Sequence, residues 1–194
     1  NHSHIYSISS PKNTNKTSPL PFTTSGLQQL VSNKLKISPK ETMKICQGLY
    51  EKGLITYMRT DSTTYSDEFK QTAKVFIENK WGSKYIPDNT DDVNTSKIIK
   101  KVVQAQEAHE AIRPTNITVI PPLDSNMSSR ENSIYKLIWQ NTVESCMKDA
   151  IYSSITATIT SSEKSHPYKY TTEKPVLLGW KNVSVFLKDK IHND

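Results

Sequence analysis

Between residues 25 and 82 the sequence opens a helix three times, which leaves room for one short element of another kind. Ser25 stands three residues before Gln28 as in a capping box, and Leu27, Leu30, Val31 and Leu35 follow at helical spacing. Ser38, Pro39 and Glu41 open the second helix, because proline is pre-organised at a first helical position and the acid can bond back to the cap. That helix carries Met43, Cys46, Leu49 and Tyr50 on one face and stops at Gly53. Ser66 opens the third, with Asp67 and Glu68 where the helix dipole favours acids, with Phe69, Ala73, Phe76 and Ile77 inward, and with an end near Gly82. The run left between, residues 54–58 (LITYM), is too short for a helix and rich in β-branched and aromatic residues; it reads as a strand.

Outside this block, residues 4–9 (HIYSIS) alternate like a short strand, and residues 10–21 form a connector without periodicity. Residues 96–112 have a helical pattern, closed where Arg113 precedes Pro114 and is biased away from the helical region. Another helix is expected over 129–148, with Ile134, Leu137 and Ile138 inward. Ile151, Ile155, Ala157 and Ile159 then alternate with polar neighbours as a strand, and residues 168–172 and 176–180 read as further strands. The expected fold class is mixed α and β, mainly helical.

A chain of 194 residues, 35% hydrophobic and 23% charged, can bury a core of one domain or one and a half. No run of 18 apolar residues occurs, so a membrane partner is not expected. A start at Asn1 instead of Met points to a fragment. Cys46 and Cys146 each fall inside a helical pattern, which suits a reducing compartment better than a disulfide framework or a zinc site. The net charge is +6, carried by 22 Lys and only three Arg; this suits a polyanionic partner without requiring one. Two of the three arginines, Arg59 and Arg113, stand in the two densest motifs of the chain, and Arg130 does not.

In the first motif, residues 53–62 (GLITYMRTDS), strand alternation would put Tyr57 and Arg59 on one face. Tyrosine is a weak nucleophile, with an ordinary pKa near 10, and needs a neighbouring cation to favour the phenolate or to hold an anionic substrate against it. Arginine does either, and its planar fork suits a phosphate. The competing reading makes Tyr57 a packed core aromatic and Arg59 a surface charge. In the second motif, residues 108–115 (AHEAIRPT), His109 can carry a proton or contact a phosphate, Glu110 beside it can set its tautomer, and Arg113 and Thr115 flank Pro114. No second His or Cys stands at metal-ligand spacing, and no glycine-rich phosphate loop occurs. The two helices before residue 53 have helix-turn-helix spacing with a strand after them, so a non-catalytic winged-helix DNA-binding module is an alternative, and a structural or protein-interaction domain is another.

Taken together, the two motifs resemble the two signatures of type IA DNA topoisomerases of the bacterial topoisomerase I kind. Residues 21–29 (PFTTSGLQQ) resemble that family's lead-in helix and residues 135–147 (YKLIWQNTVESCM) its later helix, in the family's order. The resemblance implies that Tyr57 is the nucleophile that forms a 5′-phosphotyrosine bond, that Arg59 steadies the scissile phosphate, and that His109 lies near the site with Asp61 orienting it. Glu110, Arg113 and Thr115 are then supporting residues, and Gln28, Lys100 and Lys101 are candidate DNA contacts. It implies single-stranded and negatively supercoiled DNA as substrate and no nucleotide. Mg²⁺ would be held by an acidic toprim domain, which nothing in this chain matches, so the chain is expected to hold no metal itself and to cleave little alone. The implied organisation is a gate-domain strand and linker over 1–19, a winged-helix-like tyrosine-bearing domain over 20–125, an arch-domain helix over 126–150 and returning gate-domain strands over 151–194. Partners would be the remaining domains of the parent enzyme, and the setting intracellular and nucleoid-associated, with Lys and Asn usage suggesting an A/T-rich and even an organellar genome. Departures from the family pattern are Gly26, Gln140, Asn141, Glu144 and Cys146.

Overall fold

The computed structural model describes residues 4–88, 110–123, 126–161 and 166–193. Its element order is β1 (His4–Ile8), β2 (Lys12–Lys16), α1 (Thr24–Leu35), α2 (Pro39–Glu51), α3 (Asp67–Trp81), α4 (Ser129–Ser145), β3 (Ala150–Ser161), β4 (Tyr168–Leu177) and α5 (Asn182–Asn193). The chain is therefore mixed α and β with helices in the majority.

Helix α1 starts two residues earlier than a Ser25 cap would allow. Thr23 is the cap: its hydroxyl accepts the Gly26 N–H at 3.1 Å, and Ser25 bonds sideways to that same hydroxyl instead of capping. The cause is tertiary, since Phe22 is bridged to Ile112 and the Thr24 N–H donates to Thr60 O, so the chain arrives at the helix already held. Ser38 and Ser66 cap α2 and α3 as their patterns require. Helix α4 opens on a full capping box between Ser128 and Glu131 and closes at Ser145, short of residue 148. The helix expected up to residue 112 does not reach its end, because Ala111 and Ile112 donate to Thr64 O and Phe22 O in extended backbone; residues 96–109 lie outside the described residues.

Leu27 and Val31 of α1, Cys46 and Leu49 of α2, Ala73 and Ile77 of α3, Ile134 and Ile138 of α4 and Val183 and Leu187 of α5 join one buried cluster. Helix α4 packs against α1, α2 and α5. Trp139, fully buried, donates from Nε1 to Ile117 O at 2.8 Å and meets Phe76 and Phe186, and Tyr135 donates to Val119 O at 2.8 Å. These two polar tips tie the loop after the second motif to α4, where a buried donor left unpaired would cost about 1–3 kcal/mol.

Strand β3 carries the whole sheet. β4 pairs with it antiparallel, while β1 and β2 pair with its two halves, the registers differing by one residue between Ile8↔Ala157 and Lys12↔Ser154. Residues 10–21 were expected to be a connector, yet 12–16 form β2. Its polar sequence has no strand signal of its own and is drawn into place by β3, with Lys16 bonded to Glu173 at 2.5 Å. A second departure lies at the end of the chain: residues 176–180 do not make a separate strand. β4 runs unbroken to Leu177, the turn at Gly179 follows, and residues 182–193, within the stretch expected to hold returning strands, form α5.

Glu131 links the α4 cap to α2. Its carboxylate accepts from Lys52 Nζ at 2.7 Å and from the Ser128 N–H at 2.9 Å, and these bonds hold its pKa down to about 2 from an ordinary 4.5. A depressed folded pKa contributes stability above the ordinary value that is lost as pH falls through the folded one. Thermal melts of the native chain and of Glu131→Gln should therefore differ most above pH 4.5 and converge as pH falls towards 2. A gap that stays constant over that window would remove Glu131 from the acid response.

Candidate active site

The first motif is not a strand. Only Ile55 bridges a partner residue, Pro114, because proline brings no N–H to the ladder and the Arg113 N–H is taken by the Thr56 hydroxyl at 3.0 Å. The segment is nonetheless held extended at both ends. Thr56 donates from its backbone N–H to Arg113 O at 2.9 Å and from its hydroxyl to Ala111 O at 3.0 Å. Thr60 donates from its N–H to the Thr24 hydroxyl at 2.9 Å, and that hydroxyl donates to Met58 O at 2.7 Å. Thr115 adds a hydroxyl bond to Gly53 O at 2.6 Å, where the chain leaves α2 through a left-handed glycine, φ 69°.

Between these anchors, Met58 and Thr60 point inward and Tyr57 and Arg59 outward. The alternation expected of a strand survives over four residues without its ladder. Tyr57 is 43% exposed, and its ring meets Tyr50 edge-on at 5.4 Å. Tyr50 was expected on the buried face of α2; it is exposed there and serves as the wall on which Tyr57 rests. Arg59 is exposed, with no hydrogen bond or ion pair among the described residues, and lines an open groove with Thr23, Ser25, Gln28 and Asp61. Three of the sequence candidates, Gln28, Arg59 and Asp61, thus converge at the first turn of α1, where the helix dipole favours an anion.

The supporting residues face another way. Glu110 accepts the Ser66 N–H at 2.7 Å through one oxygen, and Arg113 Nη2 and Nε at 2.6 and 3.1 Å through the other. Burial works against the charged carboxylate, but the Ser66 and Arg113 bonds win and hold its pKa below the ordinary range. The Arg113 guanidinium lies on the Phe69 ring at 4.1 Å, so it clamps α3 to the second motif and does not face the groove. His109, Lys100 and Lys101 lie outside the described residues. Thr24 and Thr56 were missed by the sequence reading, and Ser66 was read only as a helix cap; for Thr24 the only local signal is the hydroxyl-rich stretch 23–25 before a helix, and Thr56 has none.

A family model of DNA topoisomerases matches residues 1–194. The chain belongs to that family, the type IA enzymes of the bacterial topoisomerase I kind. It is 41% identical over 146 residues to DNA topoisomerase 1 of Synechococcus elongatus, covering 75% of this chain and 16% of that protein. To DNA topoisomerase 1 of Streptomyces coelicolor it is 43% identical over 139 residues, covering 72% of this chain and 14% of that one. The structure of full-length topoisomerase I from Thermotoga maritima superposes with a TM-score of 0.73 at 31% identity, over 92% of this chain and 28% of that one. The chain therefore spans a small part of the length of the topoisomerases it matches.

Proposed function

We propose that this topoisomerase-family chain is the tyrosine-bearing segment of an enzyme that cuts one DNA strand, passes another through the gap and reseals it, relaxing negative supercoils. The observation that carries the reading is the exposure of Tyr57 and Arg59 on a segment pinned at Thr56 and Thr60. In the reaction Tyr57 Oη bonds to phosphorus, the bond from phosphorus to the 3′ oxygen breaks, and the phenolic proton ends on the released 3′ hydroxyl. The phosphodiester energy is kept in the tyrosyl ester, so resealing needs no nucleotide. Arg59, with the first turn of α1, is assigned the scissile phosphate, and Gln28 the neighbouring strand. His109, oriented by Asp61, is assigned a place beside the phosphate. Lys100 and Lys101 are assigned backbone phosphates, and Glu110, Arg113 and Thr115 the positioning of the two motifs.

The assigned domain bounds are gate-domain strand and linker to residue 19, a winged-helix-like tyrosine domain over 20–125, an arch helix over 126–150 and the gate return beyond. Among the described residues no three His, Cys, Asp or Glu side chains come together to hold a metal. These residues do not fit Mg²⁺, and no step is derived through it; the ion is assigned to an acidic domain of the parent enzyme. The substrate assigned is single-stranded and negatively supercoiled DNA, in an intracellular, nucleoid setting. No helix among the described residues is long and apolar enough to cross a membrane.

The test is a suicide oligonucleotide incubated with the complete enzyme and digested for mass spectrometry: the DNA phosphate should be found on the peptide that contains Tyr57, and on another peptide if the assignment is wrong. Arg59→Ala should lower adduct yield and also flatten the dependence of log affinity on log salt by about 0.7, one phosphate contact on a single strand. An unchanged slope would place Arg59 off the backbone.

A further inference from the structure

A second groove runs between α1 and α4 and adjoins the first, since Thr23 lines both. It encloses about 510 Å³, within the range of small-ligand pockets, with Leu30, Leu137 and Trp180 as apolar lining. Asn141 also lines it and is only 8% exposed, and its buried Oδ1 has no hydrogen-bond partner. Nearly all buried polar atoms in native proteins are paired, so an orphan acceptor beside a groove points to a donor that the chain itself does not supply. The nearest amide on the same helix is already committed, Gln140 Nε2 donating to Glu144 Oε1 at 2.6 Å and to Ser184 Oγ at 2.9 Å. Because Oδ1 is itself buried, a ligand in the groove reaches it only when the Asn141 side chain shifts towards the groove.

The surroundings select the kind of ligand. Lys34 lines the groove, and Lys181 stands 5.6 Å from the Trp180 ring. Outside the groove lining, Lys181 and Lys16 flank the Tyr152 ring, at 4.8 and 4.6 Å from its centre, with Lys16 also paired to Glu173. Flat apolar lining, an unpaired amide and cations set on aromatic rings are the means by which proteins hold single strands, the rings and apolar faces taking bases and the cations taking phosphates. A fatty or purely apolar ligand would leave the amide unpaired, and a free anion would leave the apolar lining bare.

We propose that the groove between α1 and α4 takes one unstacked base of the DNA strand, an N–H on the base edge donating to Asn141 Oδ1. The proposal rests on the strand-cutting reading and adds to it a base-holding subsite that fixes where the strand lies relative to Tyr57. Its test is an abasic scan in the complete enzyme: one suicide oligonucleotide with a fixed cut site, and a set in which each nucleotide in turn lacks its base. One position should stand out, its loss lowering affinity about tenfold. Asn141→Ala and the size-matched Asn141→Leu should lower affinity for the intact strand by a similar factor and be indifferent to base removal at that position, a non-additive pair. Both variants should melt no lower than the native protein, since each deletes an unpaired buried acceptor. Native-like sensitivity to base removal at every position in both variants would overturn the proposal, as would a lowered melting temperature with binding unchanged. Affinity is read by anisotropy independently of cutting, so an enzyme that binds in this pattern but yields no tyrosyl adduct would refute the cleavage reading and leave the base subsite standing.

Discussion

The complete enzyme carrying Tyr57→Phe is expected to form no covalent DNA adduct and to relax no plasmid, while binding single-stranded DNA within about threefold of the native protein. The substitution removes the attacking oxygen and little else. The Tyr57 hydroxyl makes no hydrogen bond among the described residues, and the edge-on contact with Tyr50 at 5.4 Å needs only the ring. Stability should move by less than about 0.5 kcal/mol, as for other exposed substitutions. Two other tyrosines, Tyr65 and Tyr135, do not offer themselves as substitutes. Tyr65 is buried, its hydroxyl bonded to Ser145 Oγ at 3.1 Å and its pKa pushed up by burial. The Tyr135 hydroxyl donates to Val119 O, and burial pushes its pKa up to about 12. Plasmid relaxation by the Phe variant on an agarose gel would sink the assignment of the nucleophile.

Gly179→Ala should be the most damaging small substitution in the chain. Gly179 has φ 52°, in the left-handed region, and an added Cβ would lie 2.4 Å from Asp149 O and 2.5 Å from Lys148 O. Both obstacles are backbone, and they are fixed from the other side because Lys148 O accepts the Trp180 N–H at 3.0 Å. The left-handed conformation alone costs an alanine roughly 1–2 kcal/mol. Displacing the start of β3 from the turn before α5 adds to it, for a total on the order of 3–5 kcal/mol, much of the stability of an ordinary domain. Urea melts of the two proteins would measure it. A loss under about 1 kcal/mol would mean that the turn relaxes freely. No side chain of the Tyr57 site is touched by this change, but the neighbouring Trp180 lines the groove between α1 and α4, so a fall in DNA binding by a still-folded variant would point to that groove.

The parts of this fold legible in the sequence are those whose cause is local. Ser38 and Ser66 announce their helices because a cap is a bond between residues three apart, and β3 shows in the alternation of its own side chains. Where the cause is distant the sequence misleads. β2 is a polar run that becomes a strand only because β3 offers an edge, and residues 54–58 have strand composition but meet a partner containing Pro114. Residues 176–180 were read as a separate strand because they are apolar and aromatic, whereas Gly179 in the left-handed region turns the chain there. The site divides in the same way. Tyr57, Arg59 and Asp61 stand together in the sequence, and the clamp of Glu110 on Ser66 and Arg113 becomes visible only when the second motif meets the start of α3.

The pinning of residues 57–59 between Thr56 and Thr60 has a mechanical consequence. A tyrosine joined to a DNA end must keep its position while the other end is drawn away, so the segment behaves as a short cable under tension and not merely as a scaffold. Its two moorings lead to different bodies: Thr60 and Met58 to the start of α1 through Thr24, and Thr56 to residues 111 and 113. A pull on Tyr57 is divided between them, and each mooring consists of at least three hydrogen bonds, so no single bond has to carry it alone. In the proposed reaction, slack would then have to come from elsewhere in the parent enzyme, and the gap between the DNA ends could widen without Tyr57 losing its aim for the return reaction.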